Sequence, residues 1–198
     1  MTQLLTSPAT PPAEGFDEAA VIHRLETDPL PLEFDGADFV EKDVSAESSE
    51  TNAQIMGVFF THVHPMPAPK PVRLFDAECI YRCWPDRPRM FRKPDVSLIR
   101  SERLPPSPAR LPRVLEIAPD LAVEVVSPNE AFDDVFAKVA LYQEAGVPAV
   151  WTVSLTDRSV FVHTLDGDVS VYRGDDVIPV GPLPGFEPTP EMLLPPRG

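Results

Sequence analysis

Two acidic residues stand where acidic residues are costly. Asp95 heads the apolar run Val96-Ser97-Leu98-Ile99, and Glu124 interrupts Leu121-Ala122-Val123-Glu124-Val125-Val126. An unpaired charge inside a strand of this kind costs several kcal/mol or shifts its own pKa. Two such carboxylates, with Lys138 on the segment after them, point to a site where a cation supplies the missing charge. Mg²⁺ takes oxygen ligands and uses one or two carboxylates, leaving its other positions to water and phosphate oxygens. An ion held this way polarises a phosphate and acidifies water. A nearby lysine stabilises the negative charge that builds up on phosphorus oxygens during attack.

The elements around these residues can be read from periodicity and turn chemistry. The β-branched run 121–126 suits a central strand covered on both faces. Ser127-Pro128-Asn129-Glu130 carries a capping pattern with proline at the first helical position. A helix should run from there to about Ala145 and stop at Gly146. Lys138 shares its side with Val135 and Tyr142, so it borders the face that packs on the sheet, and its stem can lie along that face. Residues 148–154 and 159–165 read as the next strands, with 169–172 extending the hairpin. A strand–helix–strand unit over 121–154 implies a parallel pair with a right-handed crossover. Upstream, residues 17–27 could form a short helix and 32–42 two short strands about the turn Asp35-Gly36. Residues 48–61 read as a helix capped by Ser49, with Ile55, Met56, Phe59 and Phe60 as its apolar stripe. Residues 72–84 and 90–99 alternate as two strands of a hairpin, and 101–117 are proline-rich and irregular.

The 198 residues fit one domain, residues 16–198, behind a Thr/Pro/Ala-rich flexible tail, residues 1–15. No apolar run approaches the roughly 18 residues that a membrane span needs, so no membrane partner is expected. With two cysteines, Cys79 and Cys83, a disulfide framework is not expected, and the default location is cytoplasmic. A formal net charge of −14 argues against an extended nucleic-acid surface. Yet Arg82, Arg87, Arg89, Arg92 and Lys93 precede Asp95, and Arg100, Arg103, Arg110 and Arg113 come after it. They form either a local basic patch or a set of solvated loop charges. His62-Val63-His64 falls in a proline-rich stretch without a partner at metal-ligand spacing.

Several segments together resemble the Uma2 family, also known as DUF820, within the restriction-endonuclease-like PD-(D/E)XK nuclease superfamily. They are Val40-Glu41-Lys42; Arg92-Lys93-Pro94-Asp95-Val96-Ser97; Pro119-Asp120 running on to Ser127-Pro128; Lys138 with Tyr142; and Gly146-Val147 with Trp151. Gly174-Asp175-Asp176 and Leu183-Pro184-Gly185-Phe186 resemble the family's C-terminal tail. The resemblance implies an α/β fold: a restriction-endonuclease-like core, with a mixed β-sheet flanked by helices and extra antiparallel hairpins. It implies Asp95, Glu124 and Lys138 as catalytic residues, Asp95 and Glu124 holding Mg²⁺ or Mn²⁺, and nucleic acid, DNA in the first instance, as substrate. The usual superfamily lysine would stand two residues after Glu124, where this chain has Val126, and Lys138 takes over its role. Glu47 is a possible accessory carboxylate or a helix-terminal charge, and Arg92 and Lys93 are candidate substrate contacts. Homodimers are implied as well.

Two other readings keep the fold. One is a catalytically silent binding or regulatory module, which the acidic balance favours. The other is a structural oligomer built on an apolar patch from Phe75, Tyr81, Trp84 and Phe91. If Asp95 and Glu124 face each other across an empty gap, removing one should cost the metal-free protein little, and Mg²⁺ should raise its melting temperature.

Overall fold

The structure is a computed structural model and describes residues 16–105, 111–127 and 130–196. The expected tail, Arg110 and the Pro128-Asn129 pair lie outside the described residues. A six-stranded mixed sheet forms the centre. Its strands are β3 (Val72–Asp76), β5 (Val96–Arg100), β7 (Leu121–Val126), β8 (Ala149–Ser154), β9 (Ser159–Thr164) and β10 (Val169–Arg173). Their spatial order is β10-β9-β8-β7-β5-β3. Within this sheet β7 and β8 run parallel, and α3 (Phe132–Glu144) connects them. The other neighbours are antiparallel. This is the expected mixed sheet flanked by helices.

Each face has its own helix. Leu121, Val123 and Val125 of β7 pack with Ile55 and Phe59 of α2 (Ala46–Val63), and Ile178, Leu183, Phe186 and Leu193 of the C-terminal segment close the same core. Ala122, Val150 and Val147 pack with Val139 and Tyr142 of α3 on the other face. Burying one residue such as Trp151 or Phe59 contributes on the order of 2–3 kcal/mol. A smaller unit, β1 (Leu32–Phe34) paired with β2 (Phe39–Glu41), comes after α1 (Glu18–Thr27). It docks on the chain just before Asp95 through an antiparallel bridge between Phe34 and Phe91.

Several local expectations change. The helix after β2 starts at Ala46, capped by Ser45 and not by Ser49; the Ser48 side chain completes a capping box. It runs to Val63, so His62 is helical, and its ring stacks on Phe186. The α3 helix begins after Ala131, later than the Ser127 pattern suggests, and without a side-chain cap. The strand expected over 72–84 breaks after Asp76, because the Asp76 carboxylate accepts the Glu78 N–H at 3.1 Å and turns the chain. Beyond the turn, β4 (Ile80–Tyr81) pairs in parallel with β6 (Val114–Leu115), away from the main sheet. Finally, Tyr81, Trp84 and Phe91 form no surface patch: all three are buried in the protein's own core, and Phe75 packs against it.

The cysteines are free thiols. Burial pushes Cys79 up to about 11 and Cys83 up to about 12. Because the thiolate is the reacting species, both should be labelled by a maleimide at pH 8 at least about 100-fold more slowly than an unstructured cysteine. Two thiols should react promptly in denaturant. Fast labelling of Cys83 in the native state would show that its surroundings open.

Candidate active site

Asp95 and Glu124 come together through strand register. In the antiparallel β5–β7 pair, Val96 lies opposite Val123, so one further step sets Asp95 against Glu124 on the same face. Both are almost completely buried. The ladder ends there, and the Asp95 side chain takes over from it: Oδ2 accepts the Val125 N–H at 2.8 Å. Glu124 is oriented from α3, where the Tyr142 hydroxyl donates to Oε1 at 2.7 Å.

The gap between the carboxylates is filled by Lys42, the residue just after β2. Its Nζ donates to Asp95 Oδ1 at 2.7 Å and to the Lys93 carbonyl at 2.6 Å, and lies 3.8 Å from Glu124 Oε2. One amine therefore spans both acids. Lys138 approaches Glu124 Oε2 to 3.9 Å and is tied to Glu130 at 2.5 Å.

Burial and neighbouring charges set the electrostatics. Burial works against the Lys42 charge, but Glu124, Asp95 and Glu33 outweigh it and raise its pKa above the ordinary lysine range. The same balance, with Glu124 and Glu130 as the acids, raises Lys138. Burial pushes Glu124 up to about 7, with Asp95 adding to the rise and the two lysines opposing it. Glu124 is the group most in need of a further positive charge.

The hairpin β1–β2 positions Lys42. Its backbone N–H donates to the Pro31 carbonyl at 2.8 Å, one step beyond the Leu32–Glu41 pair. Glu33 on β1, also buried, clamps the segment leading to Asp95: its carboxylate binds Arg92 Nη1 at 2.9 Å and the Lys93 N–H at 2.8 Å. The candidate substrate contacts are thus engaged internally, and Lys93 is buried with its Nζ 3.0 Å from Glu78.

A cleft of about 390 Å³ opens beside Asp95. Lys42, Lys93, Ser49, Asn52 and Met56 help to form its wall. Asn52 Oδ1 is buried there without a protein partner. Glu47 is exposed in the first turn of α2 and is not part of the wall. Among the described residues no third His, Cys, Asp or Glu joins the pair in a metal-sized cluster. The donor set nevertheless fits one hard divalent cation. Two carboxylates converge on the Lys42 ammonium, a cation that a metal would replace at Asp95 Oδ1. The Val125 N–H and the Tyr142 hydroxyl each fix one carboxylate, and the cleft beside Asp95 has room for water and a phosphate.

The arginines flanking Asp95 in sequence are mostly answered by acids. Arg82 binds Glu18 and Glu116, Arg87 binds Glu144, Arg100 and Arg103 bind Asp120, and Arg113 binds Glu26. They do not form a free basic surface. Sequence reasoning missed Lys42, Glu33 and the Tyr142 hydroxyl as parts of the site. The available signal was a shortage of cation: two carboxylates in apolar strands, with valine where the strand lysine would stand.

Comparison with known proteins bears on the fold and the family. No curated protein sequence matches. A crystal structure titled as a putative nuclease belonging to DUF820, from Anabaena variabilis, superposes with a TM-score of 0.70 at 20% identity, covering 85% of this chain and 91% of that one. That likeness shows the shared fold. No helix among the described residues is long and apolar enough to cross a membrane. The Uma2 family model, described as "Putative restriction endonuclease", matches residues 22–194, nearly the whole chain, and this chain belongs to that family.

Proposed function

We propose that the protein is a Mg²⁺- or Mn²⁺-dependent endonuclease that hydrolyses phosphodiester bonds of nucleic acid, DNA in the first instance, acting in the cytoplasm as a homodimer. The observation that carries this reading is that Asp95 and Glu124 share one cation, the Lys42 ammonium, and that Asp95 and Lys42 border a cleft. A divalent ion held by these carboxylates would supply Lewis acidity toward a phosphate oxygen and toward water. The chain's own contribution is orientation and charge. The Val125 N–H fixes Asp95, the Tyr142 hydroxyl fixes Glu124, and Lys138 adds positive charge beside Glu124.

Supercoiled plasmid incubated with the protein tests this. Nicking should appear with Mg²⁺ or Mn²⁺, stop with EDTA, and be absent in the double variant Asp95→Asn/Glu124→Gln. Cleavage that survives in the double variant would place the activity elsewhere. One observation favours the silent binding module instead: the Lys42 ammonium already occupies the place between the carboxylates that a metal would take. DNA binding by wild type without any nicking would select that reading.

A further inference from the structure

We infer that Lys42 is the lysine that contacts the scissile phosphate, and that Lys138 acts through Glu124 as a positioning residue. This rests on the nuclease reading and assigns its central cation. An ammonium has three protons. On Lys42 two are taken, by Asp95 Oδ1 at 2.7 Å and the Lys93 carbonyl at 2.6 Å. Glu124 Oε2, at 3.8 Å, is too far for a hydrogen bond. The third proton has no acceptor within hydrogen-bond distance among the described residues, and Lys42 is part of the cleft wall. A non-bridging phosphate oxygen in the cleft, beside Asp95, would meet that proton.

Lys138 has a different environment. It reaches Glu124 from α3, is bound to the carboxylate of Glu130, and does not line the cleft. Glu130 holds the Lys138 amine at 2.5 Å, away from the cleft wall that Lys42 helps to form. On strand β7 the position two residues after Glu124 shares its face but is valine, so the strand offers no amine of its own. Lys42 brings one to Asp95 from a hairpin distant in sequence, and the Lys93 carbonyl and Asp95 hold it in place. A positive charge held beside Asp95 before substrate arrives is of the kind that stabilises negative charge growing on a phosphate.

The test compares wild type, Lys42→Met, Lys42→Ala and Lys138→Met on supercoiled plasmid under single-turnover conditions, with the Mg²⁺-induced rise in melting temperature measured alongside. Lys42→Met should lower the nicking rate by about 10² or more. Its Mg²⁺ shift should persist or grow, because a cation competing for the same carboxylates is gone. Lys138→Met should lower the rate by less than about tenfold. Methylammonium should restore at least about tenfold of the lost rate to Lys42→Ala, which covers the case in which methionine disturbs the fold. Nicking by Lys42→Met within about threefold of wild type overturns the assignment alone. So does loss of both nicking and the Mg²⁺ shift in Lys42→Met, or a folded Lys42→Ala that methylammonium does not rescue. Wild type that nicks nothing with either metal overturns the nuclease reading and the assignment with it.

Discussion

Asp95→Ala should destabilise the metal-free protein by about 3–5 kcal/mol, the scale of breaking a buried ion pair by removing one partner. Two losses add. The Lys42 ammonium, itself buried, keeps the Lys93 carbonyl but loses its nearest carboxylate and is left with Glu124 at 3.8 Å, and the Val125 N–H loses its acceptor at the end of the ladder. For a chain of this size the melting temperature should fall by roughly 10 °C. Asp95→Asn retains an oxygen for one of the two donors and should cost about half as much. The sequence alone suggests the opposite, because two carboxylates across an empty gap repel and either can be removed cheaply. The gap contains an amine, and this reverses the sign. A melting temperature for Asp95→Ala within about 2 °C of wild type, in EDTA, would mean that the Lys42 contact does not hold in solution.

That reversal marks the boundary of what the sequence makes legible. The unit from Leu121 to Ser154 could be read because its signals are local. A β-branched run, a 3.6-residue apolar stripe and a glycine at positive φ (Gly146, φ +80°) each announce themselves within a few residues. Asp95 and Glu124 stood out because charge inside an apolar run is locally anomalous. Lys42 is not anomalous. In Val40-Glu41-Lys42-Asp43 it looks like any solvated lysine, and its burial depends on a hairpin docking against residues 91–93. Glu33 is hidden for the same reason. The start of α2 is ambiguous for a different cause. The stretch Ser45-Ala46-Glu47-Ser48-Ser49-Glu50 offers several competent caps, and only packing of Ser48 and Thr51 against the body selects Ser45. The break in 72–84 is invisible in the sequence because apolar alternation continues through the turn at Asp76. The period alone cannot report that the second half joins another sheet. The basic cluster was legible as composition but not as surface, since acidic partners such as Glu18, Glu144 and Glu26 lie far away in sequence.

Glu124→Gln should reduce metal-dependent nicking by about 10² or more while making the metal-free protein relatively more stable as the pH rises. The sign comes from linkage. Burial lifts the folded-state pKa of Glu124 to about 7, above its ordinary value of 4.5. Between these values the native state holds a proton that the unfolded state has released, so wild type loses stability as the pH climbs through this window. Glutamine keeps the shape of the protonated acid and does not titrate. In EDTA, the melting temperature of Glu124→Gln relative to wild type should therefore move in the variant's favour as the pH rises from about 5, and level off above about 7. Adding Mg²⁺ at a pH of about 8 should reverse the order, because the ion supplies the charge that Glu124 lacks and stabilises only the protein that binds it. A difference that stays flat with pH would show that Lys42 and Lys138 already satisfy the carboxylate. An equal Mg²⁺ shift in both proteins would place the ion away from Glu124, on the acidic surface.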